Sequence, residues 1–134
     1  MHAAVLSYES SYFRFLHFGQ GPQVVVCFHG YGESARSFLF LEKYLGGDYH
    51  FITINLPFHE GSAWKESRPF TPSDLLQVIE AIFRQLGIAP HNFLLLGYSM
   101  GGRVAMTLAD QYPEKVSALC LIAPDGLRLN FWYW

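Results

Sequence analysis

The 134-residue sequence is poor in charge and has no cluster of basic residues. Charged residues make up 15%, the formal net charge is −2, and the nine Lys and Arg residues are scattered along the chain. Nucleic-acid and anionic-membrane partners require a concentrated basic surface, so neither is expected. No apolar run approaches the roughly 18 residues that a membrane-spanning helix needs.

Other signals are missing as well. The first residues contain no basic segment followed by a long apolar stretch, so no signal peptide is recognisable and a cytoplasmic location is expected. The sequence shows no metal-ligand cluster and no nucleotide-binding loop, so neither a metal nor a cofactor is expected. Its two cysteines, Cys27 and Cys120, lie in apolar runs and are predicted to be reduced core residues.

Apolar residues make up 51% of the chain, which is enough for one domain with a real core over residues 1–134. Two short strands separated by a tight turn come first and read as an exposed edge hairpin. Continuous apolar runs then alternate with helical patterns, which predicts an α/β fold with a mostly parallel sheet and helices on both faces. The predicted strands are 3–8, 11–18, 24–28, 51–55, 93–96 and 117–122, the last four of them buried, and the predicted helices are 37–45, 71–87 with its caps, and 100–112.

The second predicted helix has the clearest boundaries. Thr71 can be its N-cap, Pro72 suits the first helical position, and Asp74 completes a pair of the capping-box type. Apolar residues then recur at helical spacing on one face until Gly87. This segment is therefore predicted to pack one side against the sheet.

The stretch 97–101 reads Gly-Tyr-Ser-Met-Gly and lies between a predicted strand and a predicted helix. A sharp reversal there would force Ser99 into an unfavourable backbone conformation and leave no room for side chains at Gly97 and Gly101. The hydroxyl would stand at the tip, beside the free N–H groups of the helix that begins near Met100. The pattern predicts a nucleophile at Ser99, and the alternative is a glycine-rich turn with an incidental serine.

A second loop, His29-Gly30-Tyr31-Gly32, follows the first predicted parallel strand and reaches the same edge of the sheet. We predict that the Tyr31 N–H is turned toward the same pocket as the Met100 N–H and forms the other half of an oxyanion hole. Gly30 and Gly32 would let this backbone approach a substrate closely, and a plain glycine turn is the alternative. His29 is predicted to brace the loop by hydrogen bonding rather than to act as a base.

Four segments together resemble the N-terminal part of the α/β-hydrolase fold family, in its serine esterase and lipase branch. They are CFHGYGES, NLPFHEGS, GYSMGGRVAM and YPEKVSALCLIAP, and the resemblance covers essentially all of the chain in order. It implies that Ser99 is the nucleophile and that the N–H groups of Met100 and Tyr31 form the oxyanion hole. In similar enzymes the loop after the second parallel strand often begins with Asp and has Gly where this chain has Asn55 and Phe58, a difference expected to alter the shape of the loop.

The base and the acid of a catalytic triad are not evident. The family supplies them after the serine, the acid first and the histidine last, but this chain has no histidine after Ser99. Asp125 follows the last predicted strand and is a candidate acid, with a turn-forming Asp-Gly as the alternative. His59 is the best candidate base among the six histidines. The chain is therefore interpreted as an incomplete α/β-hydrolase fold, the front part of a longer hydrolase whose cap would begin in residues 127–134.

The expected activity is hydrolysis of a small-molecule carboxylic ester through an acyl-enzyme, with little or no turnover by this chain because it lacks a base. Hydrolysis of a carbon–carbon bond, thioester hydrolysis and cofactor-free perhydrolysis use a similar turn and are open alternatives. A rival from another class is a non-catalytic domain that binds a partner or a small ligand. Such a domain could also self-associate through an exposed sheet edge and the aromatic C-terminal residues.

Overall fold

In the computed structural model, which describes residues 1–126, six strands form one mixed sheet in the order β1-β2-β4-β3-β5-β6. The strands are β1 (His2–Tyr8), β2 (Ser11–Phe18), β3 (Gln23–Phe28), β4 (Tyr49–Ile54), β5 (Phe93–Tyr98) and β6 (Val116–Ile122). The helices are a 3₁₀ helix (Ala35–Phe38), α1 (Leu41–Leu45), α2 (Pro72–Leu86) and α3 (Met100–Gln111). Strands β3, β4, β5 and β6 run parallel, and the N-terminal hairpin is antiparallel. The predicted fold class is confirmed.

The hairpin lies at the edge of the sheet as predicted, but only its first strand is exposed there, and the expected exposure of its second strand is wrong. Strand β2 lies inside the sheet because its C-terminal half pairs antiparallel with β4, from Phe15 opposite Ile54 to Phe18 opposite Phe51. Phe13, Phe15 and Phe18 are consequently buried, and only β1 lies at the edge. The near-alternating pattern of this segment indicated a strand correctly but could not show how many neighbours the strand would have.

Both faces of the sheet are covered, as a parallel sheet of alternating strands and helices requires. Helices α2 and α3 pack on one face, where the larger apolar cluster includes Phe28, Ile79 and Leu108. The 3₁₀ helix covers the other face, where Phe38 packs with Cys27. Strand β3 contributes side chains to both clusters, which explains its continuous apolar sequence.

Helix α2 begins and ends where the sequence predicts. The Thr71 hydroxyl accepts a hydrogen bond from the Asp74 N–H at 3.2 Å, and the Asp74 carboxylate accepts one from the Thr71 N–H at 2.9 Å. Asp74 is only 3% exposed, and the Arg68 guanidinium donates to its carboxylate at 2.7 Å. Gly87 ends the helix in the left-handed conformation. This cap fixes the start of α2 beside the cavity described below.

The segment predicted as one helix over 37–45 is instead two short helices. The Ser34 side chain accepts a hydrogen bond from the Arg36 N–H, so the 3₁₀ helix begins earlier than predicted. Its turns close from residue i to i+3, with the Ser37 N–H on the Ser34 carbonyl and the Leu39 N–H on the Arg36 carbonyl. The alpha-helical part is confined to Leu41–Leu45.

The expectation that 117–122 is a buried strand is also wrong. Strand β6 is the outer strand of the sheet, and among residues 1–126 only β5 pairs with it. Leu119 and Ile122 are 39% and 45% exposed. Cys120 is exposed for the same reason, which corrects its prediction as a core residue, whereas Cys27 is fully buried.

No helix within residues 1–126 is both long enough and apolar enough to cross a membrane. The predicted start of a cap in 127–134 lies outside the described residues.

Candidate active site

Three loops meet at the edge of the sheet where the parallel strands end. They follow β3, β4 and β5, which are neighbours in the sheet, so their carboxyl ends lie side by side. The loop after β3 passes very close to the candidate nucleophile, since a Cβ atom built on Gly30 would lie 3.4 Å from the Cβ of Ser99. The predicted convergence of these loops is therefore present in the fold.

Ser99 stands at the junction of β5 and α3 in a strained backbone conformation, with φ 50° and ψ −117°. Three backbone hydrogen bonds hold it there. Its N–H donates to the Ile122 carbonyl at 3.0 Å, and its carbonyl accepts from the N–H groups of Gly102 and Asp125, each at 2.9 Å. The hydroxyl has no hydrogen-bond partner in the described part of the chain, so it is available to an incoming substrate.

The glycines around Ser99 are required by close approaches of the backbone. A Cβ atom at Gly97 would lie 2.5 Å from the Gly101 carbonyl oxygen, across the turn. A Cβ atom at Gly101 would overlap the carbonyl group of Phe28 at the end of β3. The sequence predicted a clash across the turn at both positions, but only Gly97 faces the turn. Gly101 instead allows α3 to begin directly against the neighbouring strand.

Two backbone N–H groups at this edge of the sheet have no hydrogen-bond partner among residues 1–126. Met100 is the first residue of α3, where the opening N–H groups of a helix have no partner within the helix. Tyr31 lies in the loop after β3, and neither its N–H nor that of Met100 has an acceptor among residues 1–126. Unpaired N–H groups on the loop after β3 and at the start of α3 are the kind of donor that an oxyanion site requires.

A cavity of about 450 Å³ opens beside these groups. Its walls are mostly apolar and are formed by the loop after β4, the start of α2 and one side of α3. Tyr31 and Met100 lie on its wall together with Leu75, and Arg103 adds a cationic group. The Arg103 Nη1 is 3.9 Å from the Asp125 carboxylate, and both side chains are more than half exposed, so the guanidinium is only loosely paired.

Comparison with known proteins identifies the fold. The family model described as the alpha/beta hydrolase fold matches residues 23–132. The chain belongs to the α/β hydrolase fold family. Among curated proteins, the chain is 31% identical over 112 residues to the monoacylglycerol lipase ABHD6 of Homo sapiens, a match that covers 84% of the chain and 33% of the relative. It is 39% identical over 106 residues to a putative 2-succinyl-6-hydroxy-2,4-cyclohexadiene-1-carboxylate synthase of Bacillus subtilis, covering 76% of the chain and 38% of that protein.

Solved structures give the same fold. A putative lipase from Acinetobacter baumannii matches with a TM-score of 0.80 and 19% identity, over 96% of this chain and 43% of that one. The thioesterase domain from the curacin biosynthetic pathway matches with a TM-score of 0.76 and 23% identity, over 92% of this chain and 46% of that one. The chain spans about a third of the length of the curated relatives it matches.

The candidate base, His59, is directed at a neighbouring loop. The Gly32 N–H donates to its Nε2 at 3.3 Å, and its Nδ1 lies 3.0 Å from the Pro57 carbonyl oxygen. Neither ring nitrogen contacts Ser99. The base role of His59 stays a prediction that this geometry does not support.

The candidate acid, Asp125, touches the nucleophile turn through its backbone. Its N–H holds the Ser99 carbonyl, whereas its carboxylate faces Arg103 and is 57% exposed. No histidine contacts that carboxylate within residues 1–126. Its role as an acid therefore also stays a prediction, and its observed contribution is to hold the strained turn.

His29 occupies the brace position that the sequence predicted. It is fully buried, its Nδ1 lies 2.8 Å from the Gly30 carbonyl oxygen, and the Leu56 N–H donates to its Nε2 at 3.0 Å. Burial lowers the pKa of His29, and the neighbouring His59 lowers it further, against the opposing effect of the hydrogen bond to Gly30. The neutral imidazole is thereby favoured, as its acceptor role requires.

Two features of the loop after β4 escaped the sequence analysis. Asn55 was expected only to alter the loop, but its Oδ1 accepts a buried hydrogen bond from the Ala35 N–H at 2.6 Å and so joins β4 to the neighbouring helix. Phe58 has φ 69°, a conformation that favours glycine, and its side chain is 81% exposed. The family resemblance indicated the unusual conformation of Phe58, since similar enzymes often have Gly at that position.

Within the described residues, no group of three or more His, Cys, Asp or Glu side chains could hold a metal ion. Three histidines do meet at the opposite end of the sheet. The Nδ1 of His17 lies 3.3 Å from the Nε2 of His50, and the rings of His2 and His17 stack 5.2 Å apart. Burial lowers the pKa of both His17 and His50, which favours neutral rings at this contact between β2 and β4.

Proposed function

We propose that this chain carries the nucleophile and the oxyanion-binding groups of a serine hydrolase that cleaves carboxylic esters through an acyl-enzyme. The observation that carries the proposal is the Ser99 turn. A serine is held at φ 50° by three backbone hydrogen bonds, and within residues 1–126 its hydroxyl and the N–H of the following Met100 have no partner. A strained backbone conformation persists only where surrounding contacts hold it, and such residues cluster at functional sites. Here the strained turn presents the Ser99 side chain at its tip.

In the proposed reaction the Ser99 Oγ attacks the ester carbonyl carbon and its proton passes to a base. The carbonyl oxygen becomes an oxyanion that the N–H groups of Met100 and Tyr31 stabilise. Collapse of the tetrahedral intermediate breaks the bond to the alcohol, which leaves with a proton, and water then releases the acid. Because no base contacts the Ser99 hydroxyl among residues 1–126, we expect little or no turnover by the 134-residue chain.

The names of the relatives and the shape of the cavity support this substrate class. The name monoacylglycerol lipase indicates action on a carboxylic ester, and the name of the thioesterase domain indicates action on a thioester. The apolar walls of the cavity suit an acyl chain, since burial of apolar surface favours binding. Hydrolysis of a thioester or a carbon–carbon bond, and perhydrolysis, remain alternatives that the same turn would serve.

An alkyl fluorophosphonate tests the proposal without requiring turnover. We expect slow covalent labelling of the chain, with the added mass located on Ser99 by peptide mass spectrometry. The variant Ser99→Ala should not be labelled, whereas the surface control Ser117→Ala should label at the wild-type rate. Absence of labelling in a folded wild-type chain would overturn the proposal and favour the non-catalytic, self-associating alternative, which the exposed strand β6 would serve.

A second candidate is action on a substrate that carries a carboxylate. The observation that favours it is the loosely paired Arg103 guanidinium on the wall of an otherwise apolar cavity. A cation in that position would bind a carboxylate by a charge-assisted hydrogen bond. The Bacillus subtilis relative is named as a synthase of a carboxylate, which is consistent with this chemistry.

Protection from the phosphonate separates the two candidates. If the cavity prefers an anion, benzoate should slow labelling of Ser99 at about tenfold lower concentration than its neutral isostere benzamide, since one charge-assisted hydrogen bond contributes roughly 1.5 kcal/mol. The preference should disappear in Arg103→Met and persist in Arg84→Met, a substitution of an exposed arginine on α2. Equal protection by both compounds in the wild type would favour a neutral ester.

A further inference from the structure

The loop that carries Tyr31 is held by two histidines, His29 from the same loop and His59 from the loop after β4. His59 lies after β4, and the ring of His59 is 4.8 Å from that of His29 and packs edge-on against Tyr31 at 5.9 Å. The two imidazoles therefore form one cluster beneath and beside the candidate oxyanion loop. The proposed reaction mechanism uses neither ring.

The protonation of each ring follows from its partners. A carbonyl oxygen can only accept a hydrogen bond, so the Nδ1 of His29 carries its proton toward the Gly30 carbonyl, and the Nδ1 of His59 carries its proton toward the Pro57 carbonyl. In both rings the Nε2 is then the acceptor. The His29 Nε2 accepts a hydrogen bond from the Leu56 N–H, and the His59 Nε2 accepts one from the Gly32 N–H.

The contacts fix both peptide groups of Tyr31. The Gly30 carbonyl and the Tyr31 N–H belong to one planar trans peptide and point in opposite directions, so His29 aims the Tyr31 N–H by holding that carbonyl at 2.8 Å. The next peptide contains the Gly32 N–H, which His59 holds at 3.3 Å. The Glu33 N–H also donates to the Gly30 carbonyl, at 3.1 Å.

We propose that His29 and His59 act as a clamp of two neutral imidazoles, which holds the two peptide groups of Tyr31 and aims its N–H at the substrate carbonyl. His59 is thus a positioning residue and not the general base. The role in aiming rests on the proposed function, in which the Tyr31 N–H is an oxyanion donor. The clamp itself is a property of the folded chain.

The surroundings of His29 favour its neutral ring. The His59 ring disfavours a proton on His29, because two like charges at this separation repel. The carboxylates of Glu33 and Glu60 act in the opposite direction on His29, but burial is the largest influence and lowers its pKa. A protonated ring would lose its acceptor nitrogen and with it the bond to the Leu56 or Gly32 N–H.

Nitrogen-15 NMR of the labelled full chain tests the clamp directly. At neutral pH we expect both His29 and His59 to carry the proton on Nδ1. Replacement of His59 by phenylalanine keeps an aromatic ring but removes both hydrogen bonds, and exchange of the Gly32 N–H with solvent should become about tenfold faster. The variant His59→Gln has an amide oxygen and an N–H₂ group and should restore most of the protection. The control His91→Phe changes an exposed histidine and should leave Gly32 unaffected.

The same variants test the aiming role. If the Tyr31 N–H stabilises the oxyanion, His59→Phe should lower the maximal rate of phosphonate labelling at least about tenfold while the concentration for half-maximal labelling stays unchanged. His59→Gln should recover the rate. A proton on Nε2 of His59, or unchanged Gly32 exchange in His59→Phe, would overturn the clamp, whereas unchanged labelling alone would overturn the aiming role. A wild-type chain that fails to label would count against the proposed function, and the NMR result would still decide the clamp.

Discussion

Replacing Gly101 with alanine is expected to destabilise the chain by more than about 3 kcal/mol. The added methyl group would overlap the Phe28 carbonyl and lie 2.7 Å from the His29 carbonyl oxygen. Both obstacles are backbone atoms of the central strand and its loop, so no side chain can move aside. Relief would require α3 to shift away from β3, and this shift would also displace the strained turn at Ser99.

The sign of this effect distinguishes packing from helix propensity. Gly101 lies within α3, where alanine is intrinsically favoured over glycine by about 1 kcal/mol, so propensity alone predicts stabilisation. Urea denaturation followed by circular dichroism measures the difference. Gly47→Ala is the matched control, since a Cβ atom there would meet nothing within 4 Å, and it should change stability little. A Gly101→Ala variant as stable as the wild type would show that α3 does not begin against β3 as described.

The second large effect is expected for Asp74→Asn, which should lower the free energy of unfolding by about 2 kcal/mol. The carboxylate accepts hydrogen bonds from the Thr71 N–H and hydroxyl, from Arg68 and from the Tyr8 hydroxyl. An asparagine of the same shape loses the charge and directs an N–H₂ group at one or more of these donors. Thermal or urea unfolding measures the loss, and Asp110→Asn on the exposed side of α3 is the control, expected to be nearly neutral.

This cap also predicts a dependence on pH. The hydrogen bond from Arg68 holds the pKa of Asp74 well below its ordinary value of 3.8. Because the folded chain binds the proton more weakly than the unfolded chain, the stabilisation is complete above the ordinary aspartate pKa and is lost as the pH falls below it. The difference in stability between the wild type and Asp74→Asn should therefore shrink below about pH 4. A difference that stays constant down to pH 2 would contradict this origin.

Local chemistry made several features predictable. The capping box of Thr71 and Asp74 and the glycine at the end of α2 are signals within a few residues of each other, and the structure has the helix where they place it. The glycines around Ser99 imposed a sharp turn in the same way. These predictions depend only on backbone sterics and hydrogen bonds between near neighbours.

Features that depend on distant neighbours were not predictable. The exposure of Cys120 follows from the position of β6 at the side of the sheet, and an apolar run carries no information about that position. His59 was considered as a base because its loop reaches the active edge, yet its orientation depends on Gly32, which lies on another loop. Asn55 was treated only as a change in loop shape for the same reason, since its partner is the Ala35 N–H.

The strand order has a consequence for how the chain folds during synthesis. Strand β3 is synthesised before β4 and β5 but lies between them in the sheet. Its residues 25–28 can pair with residues 94–97 of β5 only after that later segment has left the ribosome. Closure of such a long segment is slower than the formation of a local hairpin such as β1–β2. The turn that bears Ser99 directly follows the late strand β5 and receives a hydrogen bond from beyond β6. The geometry of the reactive serine is therefore among the last features of residues 1–126 to form, so labelling of Ser99 would report that all six described strands have paired.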